Sequence, residues 1–135
     1  MPGFLFDSHA LLAFFQGERG AETVLEFLKI TKNDGIEPLI CAINLGEILY
    51  LTKRRFGDAK KIEILGRIHQ LSFNIIPATN DLVLEAAEIK ADYPISYANS
   101  FAVACAKDQA AEIVTGDPDF KKVEHLVKIQ WILSR

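Results

Sequence analysis

Short apolar runs separated by amphipathic stretches recur along the chain, and this alternation restricts the fold more than any other feature. Phe4–Phe6, Leu39–Ile43, Ser72–Ile76, Glu112–Thr115 and Lys128–Leu133 each read as a short strand. Between them lie helical patterns. Leu11, Leu12, Phe14 and Phe15 follow the first run; Val24, Leu25, Leu28 and Ile30 precede the turn at Asn33-Asp34-Gly35. Asn44 reads as the cap of a helix over 45–56, with Glu47 at its third position, the reach of a capping-box residue. Asp58 is expected to cap another helix to about Leu71, Thr79 or Asn80 a further one, and an alanine-rich helix runs from Tyr97 to Lys107. Strands alternating with helices imply an α/β fold, with a mostly parallel sheet of about five strands covered on both faces.

The 135 residues fit a single domain over 1–135, and a composition of 50% hydrophobic and 24% charged residues is that of an ordinary globular protein. No apolar run approaches the roughly 18–20 residues of a membrane helix, and no signal peptide is evident, so the expected location is the cytoplasm and no membrane partner is expected. Cys41 and Cys105 match no zinc or redox spacing and are expected to be reduced core residues. A net charge of −3 does not advertise nucleic-acid binding, so any such role needs a local basic patch.

Two of the strands lead straight into carboxylates, Phe4–Phe6 into Asp7 and 113–115 into Asp117 one residue further on, and a third leads into the helix that carries Glu47. Any one of these acids has an ordinary explanation as a helix cap or a charge on a helix dipole. In a parallel sheet, however, all carboxyl ends share one edge, where open α/β sheets bind their ligands. Three carboxylates converging there raise one another's pKa unless a cation is present, and an oxygen-only set suits Mg²⁺ or Mn²⁺ rather than zinc.

These stretches resemble the PIN domain family, most closely the VapC-type toxins of prokaryotic toxin–antitoxin modules. The resemblance runs almost end to end. It rests on the strand into Asp7-Ser8, on Ile43-Asn44-Leu45-Gly46-Glu47-Ile48, on Tyr93-Pro94-Ile95-Ser96-Tyr97-Ala98-Asn99-Ser100-Phe101-Ala102, and on Ile113-Val114-Thr115-Gly116-Asp117-Pro118-Asp119-Phe120. It implies a three-layer α/β/α domain and a metal-dependent endoribonuclease. Asp7, Glu47 and Asp117 match three of the family's acidic positions, and Asp119 a frequent additional acid. Thr115 matches the hydroxyl before the last acid, and Ser8 and Ser96 match small polar positions near the site. Asn99 stands where the family normally has an aspartate, keeping a carbonyl oxygen as a possible ligand while losing a negative charge.

On this reading Asp7 and Asp117 anchor the ion, Glu47 supplies a ligand or orients water, and Asn99 holds a ligand or bound water. Lys53-Arg54-Arg55, Lys60-Lys61 and Arg67 are available for RNA phosphates, or merely neutralise a helix end and solvate its face. His9 follows Asp7 in the first helical turn and is expected to pack or lie at the surface. The resemblance further implies a homodimer and a cognate antitoxin laid into a groove of the toxin. The alternative is a catalytically impaired PIN-like module that binds RNA or protein, and Asn99 favours it. A haloacid-dehalogenase-like phosphatase would need a second aspartate where the chain has His9.

Overall fold

The computed structural model describes residues 3–133. In chain order its elements are β1 (Phe4–Phe6), α1 (Ser8–Gln16), α2 (Ala21–Asn33), β2 (Leu39–Cys41), α3 (Ala42–Phe56) and α4 (Asp58–Gln70). They continue with β3 (Asn74–Ile76), α5 (Asn80–Asp92), α6 (Tyr97–Gln109), β4 (Glu112–Thr115), a 3₁₀ helix (Pro118–Val123) and β5 (Ile129–Trp131). The five strands form one sheet in the order β3-β2-β1-β4-β5, and every neighbouring pair is parallel.

Strand side chains alternate between two cores. Leu5, Leu39, Cys41 and Ile113 face α5 and α6, where Ala102, Val103, Ala104 and Ala106 let the helix backbone approach closely. Phe4, Phe6, Ile40 and Val114 face the opposite way, onto Leu11, Val24, Ile48, Ile64 and Ile68 of α1 to α4. Burial on both faces explains why these strands read as unbroken apolar runs rather than alternating ones. No helix among the described residues is long and apolar enough to cross a membrane. Cys41 and Cys105 are free and buried, and a hydrogen bond from the Cys105 thiol lowers the pKa of the Cys41 thiol.

Several boundaries move. The second strand ends at Cys41, its last register partner being Ile76, and α3 begins at once with Ala42. Asn44 is therefore not the cap: it is buried inside the helix and donates its amide to the Ala98 carbonyl of α6 at 3.3 Å. Glu47 accordingly lies beyond the capping-box position. Asp58 does not cap α4 either. Gly57 does, at φ 93°, while Asp58 is taken by Lys53 and Lys61 at 3.3 and 3.2 Å. The third strand starts at Asn74 because Ser72 adopts a left-handed backbone, φ 61°. The last strand shortens to Ile129–Trp131.

Of the two caps considered for α5, Thr79 serves, its hydroxyl accepting from Leu82 N at 3.2 Å. Thr79→Ala should lower stability by about 1 kcal/mol without altering the fold, read as a reduced urea midpoint at unchanged slope.

Candidate active site

Asp7 follows β1 directly and caps α1. Its Oδ1 accepts the Ala10 N–H at 2.8 Å, and its Oδ2 accepts the hydroxyl of Thr115, the last residue of β4, at 2.5 Å. The carboxyl is fully buried. Burial pushes its pKa up to about 7 from 3.8, against the Thr115 and Ala10 hydrogen bonds, and the nearby charges of Asp117 and Glu47 push the same way. Thr115 is the tie between the two strands, since its Oγ1 also accepts the Asp117 N–H at 3.0 Å.

Asp117 caps the 3₁₀ helix, with Oδ1 accepting from Asp119 N at 2.9 Å. Glu47, half-buried on α3, accepts the Ser8 hydroxyl, which joins it to the residue after Asp7. Asn99 lies in the first turn of α6, whose cap Ser96 accepts the Asn99 N–H at 3.1 Å. The Asn99 side-chain amide donates to Asp117 at 3.1 Å and to Asp119 at 3.0 Å. Ser96 N–H and Lys122 also donate to Asp119, both at 3.1 Å. Against a burial penalty, these three groups hold the Asp119 carboxyl below its ordinary value.

All eight residues singled out in the sequence thus lie at one sheet edge, in two connected groups. Asp7, Thr115 and Asp117 form a chain, with Ser8 and Glu47 beside it; Asn99, Ser96 and Asp119 form a second group that meets the first at Asp117. One participant escaped the sequence, and a second, His9, packs as expected. Asn44, mistaken for a cap, ties the helix of Glu47 to the helix of Asn99. His9 packs on Gly116, where a Cβ would stand 2.6 Å from its Cε1. A glycine between a strand and an aspartate was the available signal for such a close approach.

The donor set fits a hard divalent cation. It offers oxygen only, its most buried member is raised partly by its two acidic neighbours, and an ionised carboxylate accepting one donor per oxygen keeps further lone pairs. Among the described residues no three His, Cys, Asp or Glu side chains already form a ligand cage.

The profile of the PIN domain matches residues 4–126. Among solved structures the chain is similar to a toxin–antitoxin complex from Klebsiella pneumoniae, at 20% identity and TM-score 0.72, covering 98% of this chain and 100% of that one. It is also similar to the sarcin–ricin-loop-cleaving toxin VapC20 of Mycobacterium tuberculosis, at 16% identity and TM-score 0.72, covering 90% and 95%. DNA-bound VapBC from Salmonella typhimurium matches at 12% identity and TM-score 0.77, covering 98% and 100%. No curated protein matches.

Proposed function

Because the chain belongs to the PIN domain family, we propose that it is a metal-dependent endoribonuclease, the toxin of a toxin–antitoxin pair. The observation that carries this reading is the buried Asp7 carboxyl at the sheet edge, near enough to Asp117, after β4, and Glu47, on α3, for their charges to raise it further. Asp7 and Asp117 would hold Mg²⁺ or Mn²⁺, with Glu47, Asn99 and Asp119 as the further oxygen donors. When bound, such an ion stabilises charge on a scissile phosphate and acidifies water.

The chain's own residues do the remaining work. Thr115 fixes the Asp7 carboxylate and the Asp117 backbone relative to one another. Ser8 orients Glu47, which on this reading would position the attacking water or take its proton. Asn99 offsets the repulsion between Asp117 and Asp119 by donating to both. Ser96 holds Asn99 and Asp119 through its hydroxyl and backbone N–H.

The substrate of the proposed enzyme is RNA and its place of action the cytoplasm. An antitoxin partner is supported by structural neighbours that are themselves toxin–antitoxin complexes. A homodimer is proposed with it on the family resemblance alone.

A second reading, a binding module with an impaired site, is favoured by one observation: the Asn99 amide occupies two acids with N–H donors where the family has a carboxylate. The test is incubation with a panel of structured RNAs in Mg²⁺ or Mn²⁺, with EDTA and Asp117→Asn as controls. Discrete cleavage that disappears in both controls is expected. Cutting that survives both controls defeats the proposal, and no cutting at all favours the module.

A further inference from the structure

A groove of about 720 Å³ lies between α1 and α3. Leu12 and Leu51 form its floor, and Arg19, Arg54 and Arg55 stand around it. All three arginines are exposed. Among the described residues none is ion-paired, whereas Lys53, Lys60, Lys61, Lys122 and Lys128 each meet a carboxylate. Arg54 and Arg55 are instead steadied by stacking on Tyr50 and Phe56, at 5.2 and 5.0 Å from the ring centres, and Arg55 also donates to Gln16 at 3.3 Å. Three arginines face a single wall carboxylate, Glu18, in a chain whose net charge is −3.

The junction with the site is His9. Its ring lines the groove on one side and rests on Gly116 on the other, between Thr115 and Asp117. His9 is thus the wall between the groove and the turn that carries Asp117, whose own cleft is lined by Ser96, Asn99, Asp119 and Lys122.

We propose that this groove holds the RNA strand as it leaves the acidic site, with Arg19, Arg54 and Arg55 on successive phosphates and bases lying against the leucine floor. The proposal rests on the ribonuclease reading and names where that substrate lies. Charge decides in favour of RNA over a protein segment. Guanidinium groups free of ion pairs suit phosphate oxygens, which they grip in a bidentate manner, and they line a groove whose His9 wall abuts the candidate site. The basic run 53–55 reads from sequence alone equally well as neutralising a helix end. The groove distinguishes its members: Lys53 turns to Asp58, while Arg54 and Arg55 turn to the groove wall.

The test is fluorescence anisotropy of a labelled single-stranded RNA in EDTA, so that binding is read without cleavage. Arg54→Glu/Arg55→Glu should weaken binding about tenfold or more and make the salt dependence shallower by about 1.4, near 0.7 for each lost phosphate contact. Lys29→Glu/Lys32→Glu on exposed α2 changes net charge equally and should leave the affinity within about twofold. Equal weakening in both double variants overturns the groove as a mere net-charge effect. Unchanged RNA affinity and cleavage in the arginine variant overturns it while leaving the ribonuclease standing, and hands the surface to a protein partner. Wild-type protein that binds no RNA overturns both.

Discussion

Asp7→Asn is expected to abolish RNA cleavage and, in metal-free protein, to raise thermal stability at pH 8. The Asp7 carboxyl is buried among carboxylates and protonates near pH 7 in the folded chain, against 3.8 when free. Because the folded state binds this proton more tightly, stability is greatest below the free value. It falls as pH rises from about 4 to about 7 and stays low above that. The shift of roughly three units corresponds to a loss of order 4 kcal/mol, an upper bound for a group that rearranges on ionising. Asparagine carries no proton to lose, caps a helix about as well as aspartate, keeps its oxygen for Ala10 N and turns its amide N–H, as a donor, to the Thr115 oxygen.

The wild-type melting temperature should therefore drop between pH 5 and pH 8 while that of the variant stays nearly level. At pH 8 the variant should melt several degrees higher. Saturating Mn²⁺ should raise the wild type and leave the variant unmoved, since only a folded state that binds the ion is stabilised by it. A wild-type melting temperature independent of pH, with the variant less stable throughout, would show that Asp7 is held for structure alone.

That a candidate site acid is buried at a cost to its own fold also bears on what could be read from the chain. The sheet was legible because burial on both faces leaves Phe4–Phe6 and 113–114 with no polar alternation, so they read as parallel strands directly. The edge shared by Asp7 and Asp117 then follows from parallel topology. Other features depend on contacts between distant residues. The hydroxyl of Thr115 that grips Asp7 lies 108 positions away, and nothing local to either residue announces the bond. Asn44 illustrates the opposite error. Asparagine before a helical pattern is a strong cap signal, yet the ladder of β2 stops at Cys41 and carries the helix start back to Ala42. The amide ends up buried between α3 and α6 instead. Glu47 still reaches the site because the whole helix starts at the sheet edge, whichever residue caps it.

Asn99→Asp is expected to act in opposite directions with and without metal. The native amide is only 5% exposed and supplies N–H donors to two carboxylates. Aspartate removes both donors and adds a like charge beside two half-buried carboxylates, so metal-free protein should lose about 1–2 kcal/mol, the cost of two lost hydrogen bonds and a repelling neighbour. The same added charge strengthens an oxygen site for a divalent ion. Mn²⁺ should therefore restore the variant's melting temperature to the wild-type level or above, at lower concentrations than the wild type needs. Cleavage should rise about tenfold, equivalent to about 1.4 kcal/mol at the transition state. If cleavage appears only in the variant, the wild-type chain is the binding module and its amide is what silences it. If the variant gains metal affinity without gaining rate, the Asn99 amide already performs the chemical role of the family's acid. Its donors to Asp117 and Asp119 then serve as a partial substitute for cationic charge, letting the fold tolerate its acidic edge before any ion arrives.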